Sequence, residues 1–129
     1  MSRTAMLSWS SLAAGSLAGG FSRYVMAGAV QSALGPGFPY GTFLVNITGC
    51  FLIGIFDCLA AERFVLDPAA RLLLMTGFCG AFTTFSTLIL ETSNLMKGGD
   101  FARASLNAVG SLIVGLIVFR LGTLAGRLV

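Results

Sequence analysis

The sequence predicts an all-α integral membrane protein, and its composition is the first observation behind that prediction. Of the 129 residues, 56% are hydrophobic and only 10% are charged, and the mean hydropathy is +0.90. Soluble domains are about one quarter charged, and a small soluble domain has too little interior to bury so much apolar surface. We therefore expect one transmembrane domain over residues 1–129, with the lipid bilayer as its surroundings.

Four stretches of the chain satisfy the length requirement for spanning a bilayer, which is about 20 mostly apolar residues. They cover roughly residues 10–34, 40–61, 70–96 and 101–127. Breakers or polar residues separate them at residues 35–37, 67–68 and 97–100. The first stretch is too long for a cleaved secretory signal. Because the connections are short, consecutive helices are expected to be antiparallel.

The side-chain inventory excludes several classes of function. There is no histidine, which excludes histidine metal sites and Ser-His-Asp or Cys-His nucleophiles. The eight basic and five acidic residues are too scattered to form a surface for nucleic acid. Cys50, Cys58 and Cys79 lie in apolar stretches without CxxC spacing and are interpreted as small buried hydrophobic residues. We expect neither enzymatic activity nor a nucleic-acid partner.

Charge at the predicted helix ends specifies membrane orientation poorly. One side of the bundle holds Arg3, Arg63, Arg71 and Arg127, and the other holds Lys97 and Arg103. The positive-inside rule acts on such differences, so a chain this balanced is a candidate for insertion in both orientations, that is, dual topology.

Small residues indicate close helix packing. Gly15, Gly19 and Arg23 recur at four-residue steps along the first helix, and small residues let helix backbones approach in lipid. Four short helices whose surfaces carry so many small residues enclose little space by themselves. We therefore expect a homo-oligomer that functions at its interface.

Polar residues within the apolar stretches are functional candidates because they are expensive in hydrocarbon. Arg23 either snorkels to one interface or provides a fixed positive charge at a water-filled vestibule that attracts anions. Glu91 is the one obvious carboxylate partner at depth. Asn46 either joins helices by hydrogen bonds or offers its two N–H donors to a ligand.

The last two helices each carry a polar segment with two interpretations. Arg103, Asn107, Ser111 and Gly115 follow at four-residue steps, either as interhelical hydrogen bonds or as a ladder of donors beside a conduction path. Residues 77–88 combine two glycines with a Thr-Thr pair, a poor helix sequence. A break there would free carbonyls that suit a hard cation such as Na⁺; an intact, flexible helix is equally compatible with the composition.

Three segments together resemble the Fluc (CrcB) family of small fluoride channels, and the resemblance covers nearly the whole chain. They are residues 19–24 (GGFSRY), 41–51 (GTFLVNITGCF) and 77–87 (GFCGAFTTFST). The resemblance implies an antiparallel, dual-topology homodimer of four-helix subunits with a broken third helix. It also implies two anion pores, a structural Na⁺ on the two-fold axis and a location in a bacterial inner membrane.

The resemblance also assigns roles to individual residues. The backbone carbonyls of Gly80 and Thr83 would bind the Na⁺, Arg23 would lie at the vestibule, and Asn46 would be the pore amide. Glu91, which the sequence itself offers as a partner for Arg23, is placed with it in the vestibule. Phe85 would be the first of two pore phenylalanines, whereas Leu88 occupies the place of the second and departs from the family pattern. The remaining residues implied on the anion path are Thr42, Thr87, Asn107 and Ser111.

The function implied is passive, fluoride-selective export that confers fluoride resistance. Fluoride is small and strongly hydrated, so a path through lipid must replace its water with donors such as an amide, hydroxyls and the positive edge of a phenyl ring. Two other functions agree less well with the sequence. A small dimeric proton-coupled multidrug exporter needs a carboxylate in its first helix, where this chain has Arg23 instead. In a non-transporting membrane subunit, the polar residues would serve packing alone.

Overall fold

The computed structural model describes residues 2–129, and all regular structure in this range is helical. Helix α1 is Arg3–Leu34, α2 is Tyr40–Glu62, and α3 covers residues 68–82. Helix α4 is Phe85–Lys97, and α5 is Phe101–Leu128. The backbone widens into π-helical turns at Cys58–Glu62, Leu72–Cys79 and Leu106–Gly110.

Three segments of the described chain are long and apolar enough to cross a membrane: Tyr40–Glu62, Pro68–Lys97, which joins α3 and α4, and Phe101–Leu128. The prediction of a multi-pass membrane protein is therefore supported. Helix α1 is long enough to cross a membrane, at 32 residues, but its serines and arginines make it less apolar than the three segments named above.

The first helix begins about two turns earlier than predicted, at Arg3 rather than near residue 10. The Ser2 side chain accepts a hydrogen bond from the Ala5 N–H at 3.2 Å and so caps the helix. The apolar stretch therefore underestimates the helix, because a capped helix can continue through the polar residues at its start. At the other end, Gly35 adopts φ 85° and stops α1 after Leu34.

Glycines bring α1 and α3 into backbone contact. A Cβ atom on Gly15 would collide with the carbonyl oxygen of Leu73, and one on Gly19 would collide with that of Phe78. The glycine stripe predicted on the first helix therefore packs within the chain. From Gly15 to Gly19 on α1, the contact on α3 moves from Leu73 to Phe78, so the two helices run in the same direction and are parallel.

Helices α2 and α5 pack in the same way. A Cβ on Gly54 would meet the Phe119 carbonyl oxygen, and one on Gly122 would meet that of Phe51. Contacts nearer the helix ends give the direction: a Cβ on Gly115 would lie 3.2 Å from Cys50 Sγ, and one on Gly126 would lie 2.9 Å from Cys58 Cβ. Both partners move toward the C-terminus together, so α2 and α5 are parallel, and consecutive long helices alternate in direction, as the short connections predict. Both chain termini and the α2–α3 loop lie at one end of the bundle, here called the terminal end.

The third predicted helix is interrupted between α3 and α4. Thr83 and Thr84 adopt extended backbone conformations, with φ/ψ of −85°/159° and −151°/112°. Thr84 then caps α4, since its side chain accepts from the Thr87 N–H at 3.3 Å. Of the two interpretations compatible with the composition, the structure has the break.

The glycine contacts lead to a first prediction. In Gly122→Ala the added methyl meets the Phe51 backbone, which cannot rotate away, so we expect destabilisation of about 1–3 kcal/mol. Gly110→Ala is the matched control on the same helix, because its nearest neighbour is a Leu106 methyl at 3.5 Å. Thermal unfolding of both purified variants in detergent measures the difference; equal midpoints would contradict the close approach of α2 and α5.

Candidate functional site

Asn46 on α2 holds the break between α3 and α4. The Thr84 N–H donates to Asn46 Oδ1 at 2.8 Å, and Asn46 Nδ2 donates to the Thr84 carbonyl at 3.2 Å. One amide therefore satisfies both backbone groups of a residue that has left the helix. Asn46 is six residues into α2, about 9 Å along its axis, where lipid offers no alternative partner.

An open groove of about 460 Å³ lies on one side of this pair, and we call it the Phe85 groove. The Phe85 ring is 74% exposed in it. Most of the wall is apolar, and the sequence-predicted site residues that line it are Asn46, Gly80, Thr83, Phe85, Leu88 and Ser111. The groove thus brings together residues from three separate parts of the sequence: α2, the α3–α4 break region and α5.

A second cavity of about 540 Å³, here called the Arg23 cavity, opens on the other side of the same pair. Its polar residues are Arg23, Tyr24, Thr42, Thr84 and Thr87. Thr84 lines both cavities, so the helix break is the partition between them. Polar residues from three membrane segments converge there.

Arg23 and Glu91 do not pair. Glu91 Oε1 accepts a hydrogen bond from the Thr42 hydroxyl at 2.7 Å, while its Oε2 is buried without a partner. No carboxylate of the described residues lies within ion-pair distance of Arg23. The arginine therefore leaves its positive charge uncompensated in the Arg23 cavity, on the side of the break where Thr42 and Thr87 present hydroxyls.

The polar stripe of the fourth membrane segment divides into three environments. Asn107 is fully buried and donates from Nδ2 to Thr92 Oγ1 at 3.0 Å, which is an interhelical hydrogen bond and not a position in either cavity. Ser111 lines the Phe85 groove, and its hydroxyl has no partner. Arg103 is exposed at the helix end beside Asp100, 3.4 Å away.

The break also leaves backbone oxygens free. The Thr84 N–H, which would bond to the Gly80 carbonyl in a continuous helix, donates to Asn46 instead. Among the described residues, no hydrogen bond outside the helices ends on the Gly80 or Thr83 carbonyl. Gly80 is exposed, and a Cβ there would meet nothing closer than 3.9 Å. Two neutral oxygen ligands of the kind preferred by hard cations are therefore available.

Thr84 is the site residue that sequence reasoning did not single out. Besides its two bonds to Asn46, its hydroxyl donates to Thr87 Oγ1 at 2.9 Å. The available signal was a threonine directly before a segment with apolar residues at 85 and 88–90, since threonine is favoured at a helix N-cap.

These features define a multi-pass α-helical membrane protein with a polar site at a helix break within its apolar spans. Comparison with known protein families agrees with this class and identifies a particular family within it. The model of CrcB-like protein, Camphor Resistance (CrcB), matches residues 10–123, and the chain belongs to this family.

Curated relatives are similar over almost their whole length. The fluoride-specific ion channel FluC of Chlorobaculum tepidum is 51% identical over 115 residues, which cover 89% of this chain and 90% of the relative. That of Maridesulfovibrio salexigens is 45% identical over 118 residues, with 92% and 94% covered. That of Prosthecochloris aestuarii is 46% identical over 114 residues, with 88% of each covered.

The role of Asn46 in holding the break gives a second prediction. Asn46→Ala leaves the Thr84 N–H and carbonyl without partners, which costs about 1–3 kcal/mol per buried group. We expect faster hydrogen exchange at the Thr84 amide and lower thermal stability. Asn94→Ala, on the exposed part of α4, is the control. Unchanged exchange at Thr84 would show that the amide does not hold the break.

Proposed function

We propose that this chain forms a fluoride-selective passive channel. The observation that carries the proposal is its 51% identity, over 89% of its length, to a relative named fluoride-specific ion channel. Identities of 45% and 46% to two further relatives with that name support it. The geometry adds a physical reason, because polar groups line two cavities that meet at a helix break.

The groups available along this path suit a small anion. Fluoride must exchange its hydration shell for donors, and the hydroxyls of Thr87 and Ser111 together with the Asn46 amide are placed around the two cavities. The Thr42 hydroxyl also lines the Arg23 cavity, but its proton is donated to Glu91. Arg23 supplies a positive potential that concentrates anions in the Arg23 cavity. The exposed Phe85 ring offers its positive edge on the other side of the break. Asn107, by contrast, would act indirectly through Thr92 of α4.

Transport down the electrochemical gradient suffices for export. Fluoride enters acidified cells as HF and dissociates at neutral internal pH, so the anion accumulates inside. An inside-negative potential of 100 mV favours the exit of one anion by about 2.3 kcal/mol. The corresponding location is a bacterial inner membrane, and the physiological result is fluoride resistance.

The working unit we propose is an antiparallel, dual-topology homodimer in which all four helical segments of each subunit cross the bilayer. The Phe85 groove supports this arrangement, because it is open on one side and leaves Phe85 and Gly80 uncovered. A second subunit would close the groove. The weak charge asymmetry between the two ends of the bundle supports insertion in both orientations.

We further propose that the Gly80 and Thr83 carbonyls hold a structural Na⁺. The fit rests on the two backbone oxygens freed by the break, which are neutral ligands of the kind that a hard monovalent cation takes. Carbonyls of two subunits would supply four neutral oxygens to a monovalent cation. When bound, Na⁺ would neutralise converging carbonyl dipoles and join the two helix breaks.

The central test of the channel proposal is fluoride efflux from liposomes that contain only this protein. We expect rapid efflux that needs no proton gradient and far slower release of chloride, measured with ion-selective electrodes. Asn46→Asp places a negative charge next to the path. Repulsion of about 4 kcal/mol between unit charges 4 Å apart at an effective dielectric constant of 20 would slow efflux roughly a thousandfold.

The other functions make different predictions in the same assay. A proton-coupled exporter would release fluoride neither rapidly nor independently of pH, and a non-transporting subunit would release none. Comparable chloride release, or undiminished efflux through Asn46→Asp, would contradict the proposed path. Asn94→Asp, on the exposed part of α4, controls for the added charge.

Removal of Na⁺ tests the cation proposal separately. Replacing Na⁺ with N-methylglucamine should lower the thermal stability of the dimer and slow efflux, and restoring Na⁺ should reverse both effects. Because the ligands are backbone carbonyls, side-chain substitutions that keep the break intact should leave the Na⁺ dependence unchanged. Efflux and dimer stability that are both independent of Na⁺ would refute the site without affecting the fluoride proposal.

A further inference from the structure

The loop between α2 and α3, residues 63–67, lies at the terminal end of the bundle and joins two membrane-spanning segments. It therefore lies where acyl chains meet headgroups. The position of Trp9 supports this placement at the interface. Trp9 is exposed on α1 and lies toward the terminal end from Gly15, which contacts α3 near Leu73. Tryptophan is enriched at membrane–water interfaces.

Arginine side chains at this end differ in whether their charge is neutralised. Arg127 forms two hydrogen bonds with the Glu62 carboxylate, at 2.8 and 2.9 Å. Arg63 and Arg71 have no carboxylate within ion-pair distance among the described residues. Asp67 is the nearby acid, and its Oδ1 accepts from the Ala70 N–H at 2.7 Å, capping α3. The two guanidinium groups next to the loop, those of Arg63 and Arg71, thus remain uncompensated.

The two uncompensated guanidinium groups are held in place by backbone oxygens. Arg71 donates from Nη2 to the Ala60 carbonyl at 2.6 Å and from Nε to the Leu66 carbonyl at 3.1 Å. Arg63 donates from Nη1 to the Arg127 carbonyl at 3.2 Å. A guanidinium has five N–H donors, so both keep free donors, and their planar geometry suits the oxygens of a phosphate.

Two apolar side chains between these arginines point away from the protein. Phe64 is 79% exposed and Val65 is 63% exposed. Phe64 is also the one non-glycine residue with positive φ in the described chain, at 55°. A bulky residue rarely adopts this left-handed conformation. The loop therefore presents a phenyl ring outward, at a cost in backbone strain, at the depth of the lipid interface.

We propose that Arg63 and Arg71 bind the phosphate of an anionic phospholipid while Phe64 inserts among its acyl chains. The occupant is a lipid because the apolar and cationic groups lie side by side at the end of two membrane spans. A soluble anion would leave Phe64 and Val65 in water. The inference depends on the membrane location of the chain and not on fluoride conduction.

Site-directed fluorescence tests this lipid site in the full chain. Trp9→Phe combined with Phe64→Trp puts the sole indole in the loop, and the protein is reconstituted in phosphatidylcholine bilayers. Lipids brominated near the headgroup then quench the indole on contact. We expect brominated phosphatidylglycerol to bind about fivefold more tightly than brominated phosphatidylcholine, the effect of roughly one arginine at an anionic surface.

Adding Arg63→Gln and Arg71→Gln should reduce this preference to about onefold, whereas Arg63→Lys should retain most of it. The single variant Arg63→Gln tests the site without a large risk of misfolding, because it removes only one exposed hydrogen bond. It should lower the preference for phosphatidylglycerol partially. Lys97→Gln with Arg103→Gln, at the opposite end of the bundle, is the control and should change nothing.

Three results would overturn the lipid site. Equal quenching by the two lipids with both arginines present would remove the preference itself. A preference that persists in the double glutamine variant would place it elsewhere. Loss of the preference on adding soluble glycerol phosphate would show that the arginines bind a free anion. Fluoride efflux measured on the same vesicles keeps this outcome separate from that of the channel proposal.

Discussion

The paired hydrogen bonds between Asn46 and Thr84 are the interaction on which the rest of the site depends. A backbone N–H or carbonyl left unpaired within a bilayer costs several kcal/mol, so a helix that breaks at depth needs a partner for each group it frees. The Asn46 amide provides a donor and an acceptor together, at 3.2 and 2.8 Å from Thr84. Among the side chains, only asparagine and glutamine carry an amide, which places an N–H donor and a carbonyl acceptor side by side without a charge or a titratable proton.

The break has consequences on both of its sides because the chain direction changes there. On one side, no hydrogen bond outside the helices ends on the Gly80 or Thr83 carbonyl among the described residues, and both residues line the Phe85 groove. On the other, the Thr84 and Thr87 hydroxyls meet Arg23 and Thr42 across the Arg23 cavity. Acceptors suited to a cation and donors suited to an anion are thus separated by a single residue, Thr84. A continuous helix would present neither.

The sequence predicts the helices better than it predicts the contacts between their polar residues. Long apolar runs and breakers placed α2 and α5 to within a residue or two, since membrane spans are determined by length and hydropathy. The start of α1 was wrong because a helix can extend beyond its apolar part when a residue such as Ser2 caps it. Composition left the Thr83–Thr84 break undecided, because the decisive partner, Asn46, lies 38 residues away. The pairing of Glu91 with Thr42 rather than Arg23 is likewise a matter of helix rotation, which spacing on one helix cannot determine.

The separation of Arg23 from Glu91 follows from the same geometry and decides how the Arg23 cavity is charged. Had the two side chains paired, the arginine's field would be cancelled locally, and the cavity would have little attraction for an anion. Because Thr42 occupies Glu91 Oε1, the carboxylate is held against α2 and the guanidinium is left to the cavity. A threonine hydroxyl between the helices therefore keeps the positive charge available, and the hydroxyls of Thr84 and Thr87 lie next to it at the break. In the proposed channel, the positive potential of Arg23 and the Thr87 hydroxyl would therefore be adjacent, and dehydration of an anion would begin where the favourable potential is already present.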